Sequence, residues 1–179
     1  DFVAAVATLK VGNPFDESTN IGALVSKQHL EKVKSYIDNS EQLGGKVIFG
    51  GKTVAVQNSE SGYYLQPTII EVKDNQCQLN QEEIFGPIVT IMSFKTEEEV
   101  LAMANDVSYG LSATLWTNDL KRTMRISKQI QAGIVWVNTW LLRDLRTPFG
   151  GVKNSGVGRE GGFEALRFFT EAKNICIKY

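Results

Sequence analysis

The sequence lacks the features that would assign it to a membrane or nucleic-acid-binding class. None of its apolar runs approaches the ~18 residues that a membrane-spanning helix needs. Its 179 residues include 19 basic and 20 acidic side chains, and a net charge of −1 gives no general attraction for nucleic acid. We therefore expect neither a membrane nor a nucleic-acid partner.

Histidine and cysteine are also scarce. The single histidine, His29, falls on an amphipathic, lysine-rich helix, where a solvated surface side chain is the favoured interpretation. This argues against Ser-His-Asp catalysis and a histidine-based metal site, so no metal is expected. Cys77 and Cys176 have neither metal-like spacing nor local signs of an activated thiol. We interpret both as structural thiols of a reducing compartment and predict a cytoplasmic location.

Apolar runs typical of buried strands alternate with helical patterns through the first three quarters of the chain. Thr96 and Glu99 form a capping box that opens one helix, and Gly133 is placed to end another as its C-cap. This alternation predicts an α/β fold with a mostly parallel sheet and helices on both faces. Strands are expected at 46–49, within 63–72, at 88–94, 112–117 and 134–137, and helices at 26–43, 96–106 and 119–131.

The C-terminal part has a different character. Residues 147–162 are rich in glycine and contain a GxGxxG match at 156–161. A dinucleotide-binding fingerprint should follow a strand and open a helix, whereas a loop precedes this one, so we interpret it as a turn-rich loop. A short helix over 163–171 is followed by an alternating pattern at 172–179, which predicts a strand that pairs with another sheet, on another subunit.

Two acidic residues precede an aromatic residue in the segment 81–89. A carboxylate at the mouth of a sheet can accept two hydrogen bonds from vicinal hydroxyls, and an exposed aromatic ring beside it can cover a flat ring. This arrangement would suit a nucleotide ribose. The alternative is that the acids lie on a surface loop and Phe85 packs in the core.

Four ordered motifs resemble those of the aldehyde dehydrogenase superfamily, and the resemblance covers essentially the whole chain. They are EEIFGP at 82–87, AN at 104–105, YGL at 109–111 and PFGGVKNSG at 148–156. Within the superfamily, RDLRTPFGG followed by SGVGREGG is similar to the semialdehyde dehydrogenases of muconate-type catabolism. The resemblance implies an NAD-dependent oxidation in which a thiolate attacks the aldehyde, hydride passes to nicotinamide, and a base-activated water releases the acid.

Family members have their cofactor domain, nucleophilic cysteine and general base upstream of the region that this chain resembles. We therefore predict a C-terminal portion that is inactive alone: 1–138 as the α/β part of the catalytic domain, 139–171 as substrate-entrance loop, glycine-rich segment and short helix, and 172–179 as the strand of a homo-oligomer. One alternative is a separately made polypeptide that folds and assembles without activity. Another is a broader aldehyde oxidiser, such as one acting on retinal.

The resemblance also assigns roles to single residues. Glu83 would hold the nicotinamide-side ribose, Phe85 would pack near the nicotinamide, and Phe149 would line the substrate pocket. Glu160 aligns with a family glutamate assigned to proton movement, and a structural ion pair with Arg159 is the equally favoured alternative.

Two arginines distinguish the predicted entrance loop. Guanidinium matches a carboxylate in a planar, two-point geometry, so the substrate is predicted to be a semialdehyde with a carboxylate and Arg143 its main clamp. Arg146 belongs to the same predicted substrate site but is expected to tie down the loop through an acid such as Asp144. The alternative is that both arginines only stabilise the loop surface.

Overall fold

A computed structural model describes residues 1–59 and 61–179, which form two compact units, 1–93 and 94–179. The first unit contains helices α1 (Phe2–Ala7), α2 (Lys27–Asp38) and α3 (Gln78–Gln81) and strands β1 (Gly45–Phe49), β2 (Thr53–Val54), β3 (Tyr64–Leu65), β4 (Thr68–Val72) and β5 (Ile88–Ile91). The second contains helices α4 (Glu97–Asn105), α5 (Leu120–Ser127) and α6 (Gly162–Phe169) and strands β6 (Tyr109–Gly110), β7 (Ser112–Leu115), β8 (Ile134–Val137) and β9 (Val152–Lys153). None of the helices in these ranges combines the length and the apolar character needed to cross a membrane.

The first unit is built around a sheet in which β4 lies between β1 and β5. Strand β4 is rich in β-branched residues and buries four of its five positions, as a central strand should. It pairs antiparallel with β1 and parallel with β5. Helix α2 contributes Val33 and Ile37, one turn apart, to the same buried cluster as Ile70 and Leu79. This core fixes the position of the segment between α3 and β5.

The predicted βαβ arrangement is present in the second unit. Strand β7 runs parallel to β8, and α5 connects them. The Asp119 carboxylate accepts a hydrogen bond from the Arg122 backbone N–H at 3.1 Å, which caps the first turn of α5. Ile126 on α5 and Trp136 on β8 are buried.

Of the two helix-end signals, one is confirmed and one was wrong. The Thr96 hydroxyl accepts a hydrogen bond from the Glu99 backbone N–H at 3.2 Å and opens α4 as predicted. Helix α5, however, ends at Ser127, so Gly133 is not its C-cap. A Cβ atom on Gly133 would lie 1.7 Å from the carbonyl oxygen of Gly150. Glycine is required here because two backbone segments touch.

The α/β class is confirmed, but the prediction of a mostly parallel sheet was wrong, because three of the five strand pairings among the described residues are antiparallel. The pairs β1–β4, β2–β3 and β6–β9 are antiparallel, whereas β4–β5 and β7–β8 are parallel. Apolar periodicity marks a buried strand without giving the direction of its neighbour. Residues 171–179 form no strand with the part of the chain that the structure describes, and their pairing with another subunit stays a prediction.

Candidate functional site

The acidic segment in the first unit is tied down through Glu82. Its carboxylate accepts hydrogen bonds from the Tyr36 hydroxyl at 2.5 Å and from the Gln78 side-chain amide at 2.9 Å. The bond from Tyr36, followed by that from Gln78, holds the pKa of Glu82 below its usual value, and the same Glu82 contact raises the pKa of Tyr36. Glu82 therefore links the segment to α2 and α3.

Glu83 and Phe85 face outward from the same segment. Ile84 between them is buried in the core, whereas the Phe85 side chain is 72% exposed. Within residues 1–59 and 61–179, the Glu83 carboxylate forms no hydrogen bond or ion pair. Both side chains line a cavity of about 190 Å³. The alternative in which Phe85 packs in the core was wrong, and a free carboxylate beside an exposed aromatic ring is the arrangement predicted for a ribose site.

His29 supports Phe85, a contact that the sequence did not predict. The backbone of Phe85 has φ +61°, a left-handed conformation that is strained for a bulky residue. The Nε2 atom of His29 lies 2.6 Å from the Phe85 carbonyl oxygen, and the two rings meet edge-on with centroids 6.1 Å apart. Because a carbonyl only accepts, His29 donates from Nε2. The interpretation of His29 as a solvated surface residue is corrected accordingly.

Two of the predicted substrate residues, Arg143 and Phe149, meet the predicted proton-relay residue Glu160 in the second unit. The guanidinium carbon of Arg143 lies 3.9 Å from the centroid of the Phe149 ring, a cation–π contact. Arg143 Nη2 also donates to Glu160 Oε1 in an ion pair. The backbones of Phe149 and Glu160 exchange two hydrogen bonds of 2.8 Å each. Phe149 thus fixes the plane of the guanidinium, and Glu160 occupies part of its edge.

Arg146 forms the predicted contact with Asp144. Its Nη2 lies 2.5 Å and its Nε 2.9 Å from the Asp144 carboxylate, and its backbone N–H donates to the same carboxylate at 2.9 Å. These bonds lower the pKa of Asp144 and raise that of Arg146. The Arg146 side chain is 88% exposed. The predicted contact is confirmed, while the role of Arg146 in fixing the loop and a direct contact with substrate stay predictions.

The predicted alternative of an ion pair between Glu160 and Arg159 was wrong. Arg159 Nη1 donates to the carbonyl oxygens of Gly151 at 2.8 Å and Gly158 at 2.7 Å, which braces the glycine-rich segment from within. The partner of Glu160 is Arg143, seventeen residues earlier.

Two tryptophans hold the loop that is predicted to form the substrate entrance. Trp136 Nε1 donates to the Leu142 carbonyl oxygen at 2.8 Å. The Trp140 ring packs edge-on against Trp136, with centroids 5.1 Å apart. A buried strand residue therefore fixes the main chain of the loop immediately before Arg143.

The GxGxxG match at 156–161 is a turn-rich loop, as interpreted from the sequence. Strand β9 before it has only two residues, although α6 begins directly after it. Cβ atoms on Gly161 and Gly162 would each lie 2.3 Å from a loop carbonyl oxygen, that of Thr147 and that of Arg146 respectively. Both glycines also have positive φ values. The match therefore serves close packing against the entrance loop.

Comparisons with known proteins agree with this architecture. The model of the aldehyde dehydrogenase family matches residues 1–175. The chain is 47% identical to the 2-aminomuconic semialdehyde dehydrogenase of Bos taurus and 47% identical to the 2-hydroxymuconic semialdehyde dehydrogenase of Pseudomonas sp. (strain CF600), over 99% and 98% of its length. It covers 37% and 36% of those relatives. It also superposes with a TM-score of 0.91 and 40% identity on an indole-3-acetaldehyde dehydrogenase of P. syringae solved with NAD⁺ and IAA, over 99% of this chain and 35% of that one.

Proposed function

The chain belongs to the aldehyde dehydrogenase family, and from this premise we propose that it is the C-terminal portion of an NAD-dependent enzyme that oxidises a carboxylated, 2-aminomuconate-type semialdehyde to the acid. The names of two relatives, 2-aminomuconic and 2-hydroxymuconic semialdehyde dehydrogenase, support the substrate class. The chain spans little more than a third of their length. This supports the proposal that other catalytic residues lie outside this sequence. Those residues would supply the nucleophile, the general base and the cofactor domain.

The observation that carries the substrate class is the placement of Arg143. Its guanidinium stacks on Phe149, and its side chain remains 36% exposed. One face of the cation is covered, so an incoming anion approaches in the plane of the group. A carboxylate can bind there through two parallel hydrogen bonds, which a lysine cannot reproduce. Arg143 would hold the carboxylate end of the substrate, and Phe149 would line the pocket beside it.

The residues present fit a nicotinamide dinucleotide. In the part of the chain that the structure describes, the Glu83 carboxylate has no partner, and Glu83 and the exposed Phe85 both line the cavity of about 190 Å³. Glu83 would accept hydrogen bonds from ribose hydroxyls, and Phe85, supported by His29, would pack near the nicotinamide. When bound, the cofactor accepts the hydride of the aldehyde. Use of NAD rather than NADP is part of the proposal.

Four further assignments complete the proposal. Glu160 would take part in proton movement after substrate binding. The segment 172–179 would join a homo-oligomer as a strand, with Ile177 and Tyr179 in the intersubunit sheet. The cytoplasm is the proposed location. The functional division into 1–138, 139–171 and 172–179 is likewise proposed.

The test replaces Arg143 by alanine in the full-length protein that we propose contains this chain. The kcat/KM for 6-oxohexanoate, an aldehyde with a terminal carboxylate, is compared with that for hexanal. Loss of charged hydrogen bonds worth ~1.5–3 kcal/mol should lower kcat/KM for the carboxylated aldehyde roughly ten- to a hundredfold and leave hexanal nearly unchanged. Arg146→Ala is the matched control. It removes an arginine from the same loop, but this arginine is already paired with Asp144.

Equal losses on both aldehydes would show that Arg143 shapes the loop without reading a carboxylate. That result would favour the broader aldehyde oxidiser. If Arg146→Ala and Arg143→Ala lower kcat/KM for 6-oxohexanoate equally, Arg143 is not the main clamp of the carboxylate.

A further inference from the structure

We infer that Glu160 is an internal competitor of the substrate: its carboxylate pairs with Arg143 in the empty pocket and is displaced when the carboxylate of the substrate arrives. The inference rests on the proposed function, because it assumes that Arg143 binds a substrate carboxylate. It gives Glu160 a specificity-determining role. An aldehyde without a carboxylate would leave the pair intact.

The geometry of the pair makes the competition direct. Glu160 Oε1 accepts from Nη2 of Arg143. Nη2 takes part in both two-point arrangements of a guanidinium, the end-on one with Nη1 and the side-on one with Nε. The Phe149 ring lies over the face of the group, so binding at the edges remains. Nη2 has two N–H groups, one for each arrangement, so Glu160 takes one of them and its negative charge lies beside the other.

Electrostatics disfavours binding of both carboxylates together. A second carboxylate on the same guanidinium would lie within a few ångströms of Glu160, and like charges at that distance oppose each other. The Arg143 guanidinium contacts one anion, the Glu160 carboxylate, and one neutral group, the Phe149 ring. Replacing one anion by another keeps the local charge balanced, whereas adding one does not.

The pair is also able to open. The Glu160 side chain is 58% exposed, so its carboxylate can return to water without a buried charge being left behind. Its backbone is held by the two hydrogen bonds to Phe149, so the opening needs only rotation of the side chain. Exposed pairs of this kind contribute little to stability, so a better-placed carboxylate can displace Glu160.

The experiment measures the Kd of adipate, a dicarboxylate probe, for the full-length protein by isothermal titration calorimetry. Glu160→Gln keeps the shape of the side chain and removes its charge, and should tighten adipate binding roughly two- to fivefold. Glu164→Gln is the matched control: it removes a carboxylate of the same region that pairs with Arg167 at 3.5 Å, and should leave the Kd unchanged. The gain should vanish when Glu160→Gln is combined with Arg143→Ala.

The possible outcomes separate the inference from the proposed function. If Arg143→Ala weakens adipate binding while Glu160→Gln weakens it or leaves it unchanged, Glu160 does not compete and the inference is overturned, although the substrate class stands. If Arg143→Ala leaves the Kd unchanged, the substrate class fails and the inference falls with it. A gain in adipate affinity that persists without Arg143 would mean a general charge effect and would also overturn the inference.

If Glu160→Gln lowers the Tm, Glu160→Asp provides a second test, since its shorter side chain should also tighten adipate binding.

Discussion

The close approach of Gly133 and Gly150 yields a sharp prediction for Gly133→Ala. Gly133 does not have a positive φ, so the alanine is not strained by its own backbone conformation. The expected damage comes from the contact alone. The new Cβ would lie 1.7 Å from the Gly150 carbonyl oxygen, about 1.3 Å inside the 3.0 Å below which such contacts are essentially never seen. The obstacle is backbone, so β8 and the segment at Gly150 must separate.

The magnitude follows from what that separation disturbs. Overpacking of this kind costs ~1–3 kcal/mol. The hydrogen bonds from Gly133 N to Gly110 O at 3.0 Å and from Ile134 N to Leu111 O at 3.2 Å lie at the same point, and weakening them adds about 1 kcal/mol. We therefore expect the free energy of unfolding to fall by roughly 2–4 kcal/mol.

The assay is urea unfolding of the 179-residue chain, followed by circular dichroism and by tryptophan fluorescence. All three tryptophans, Trp116, Trp136 and Trp140, lie in the second unit, so fluorescence reports the unit that contains the substitution. Gly22→Ala, in the first unit, is the control and is followed by circular dichroism, because the nearest atom to its new Cβ is a Pro14 side-chain atom at an ordinary 3.8 Å. An unfolding midpoint for Gly133→Ala equal to that of the control would refute the close approach.

Three further predictions concern activity and pH. The 179-residue chain alone should form no NADH from aldehydes at 340 nm beyond a boiled control, and steady formation would contradict the proposed division of catalytic residues. In the full-length protein, Glu83→Gln should slow single-turnover hydride transfer more than tenfold, since a charged hydrogen bond contributes ~1.5–3 kcal/mol; an unchanged rate would make Glu83 a surface acid. Glu97 has its pKa lowered to about 2, chiefly by the hydrogen bond from Arg125 and then by Arg122. Because the pKa is lower in the folded state, the ionised Glu97 stabilises the protein above the ordinary carboxyl pKa, and this stability is lost as pH falls from about 4.5 towards about 2. Glu97→Gln should therefore make the free energy of unfolding depend less on pH in this range. An unaltered pH dependence would contradict the pairing.

The parts of the fold that local chemistry determines could be predicted from the sequence. The Thr96 cap and the β7–α5–β8 unit depend on neighbouring residues and on spacing, and both are present. The antiparallel pairing of β1 with β4 depends on the path of the chain between them, which no pattern within either strand records. The prediction that Gly133 ends α5 was wrong for a related reason. Glycine is needed at this position because of a contact with Gly150, seventeen residues away, and not because of the helix.

The candidate site shows the same division. The Arg146–Asp144 contact spans two residues and was predicted. The contact of His29 with Phe85 spans 56 residues, and that of Arg143 with Glu160 spans 17, so neither has a local signal. The pairing of Arg143 with Glu160 could still have been considered, because an arginine near a pocket requires a counter-charge. Glu160 was already a candidate for another role.

Three contacts to main-chain carbonyl oxygens help to hold the predicted entrance loop, and this has an evolutionary consequence. Trp136 binds a carbonyl oxygen of the loop, and Gly161 and Gly162 lie against two others, so these contacts do not depend on the loop side chains. Side chains such as Leu142 and Leu145 are exposed and can be exchanged while the path of the loop is kept. A new substrate preference can therefore arise by one or two substitutions without remodelling the backbone. The glycines tolerate no such drift, so the region combines a rigid frame with readily altered chemistry.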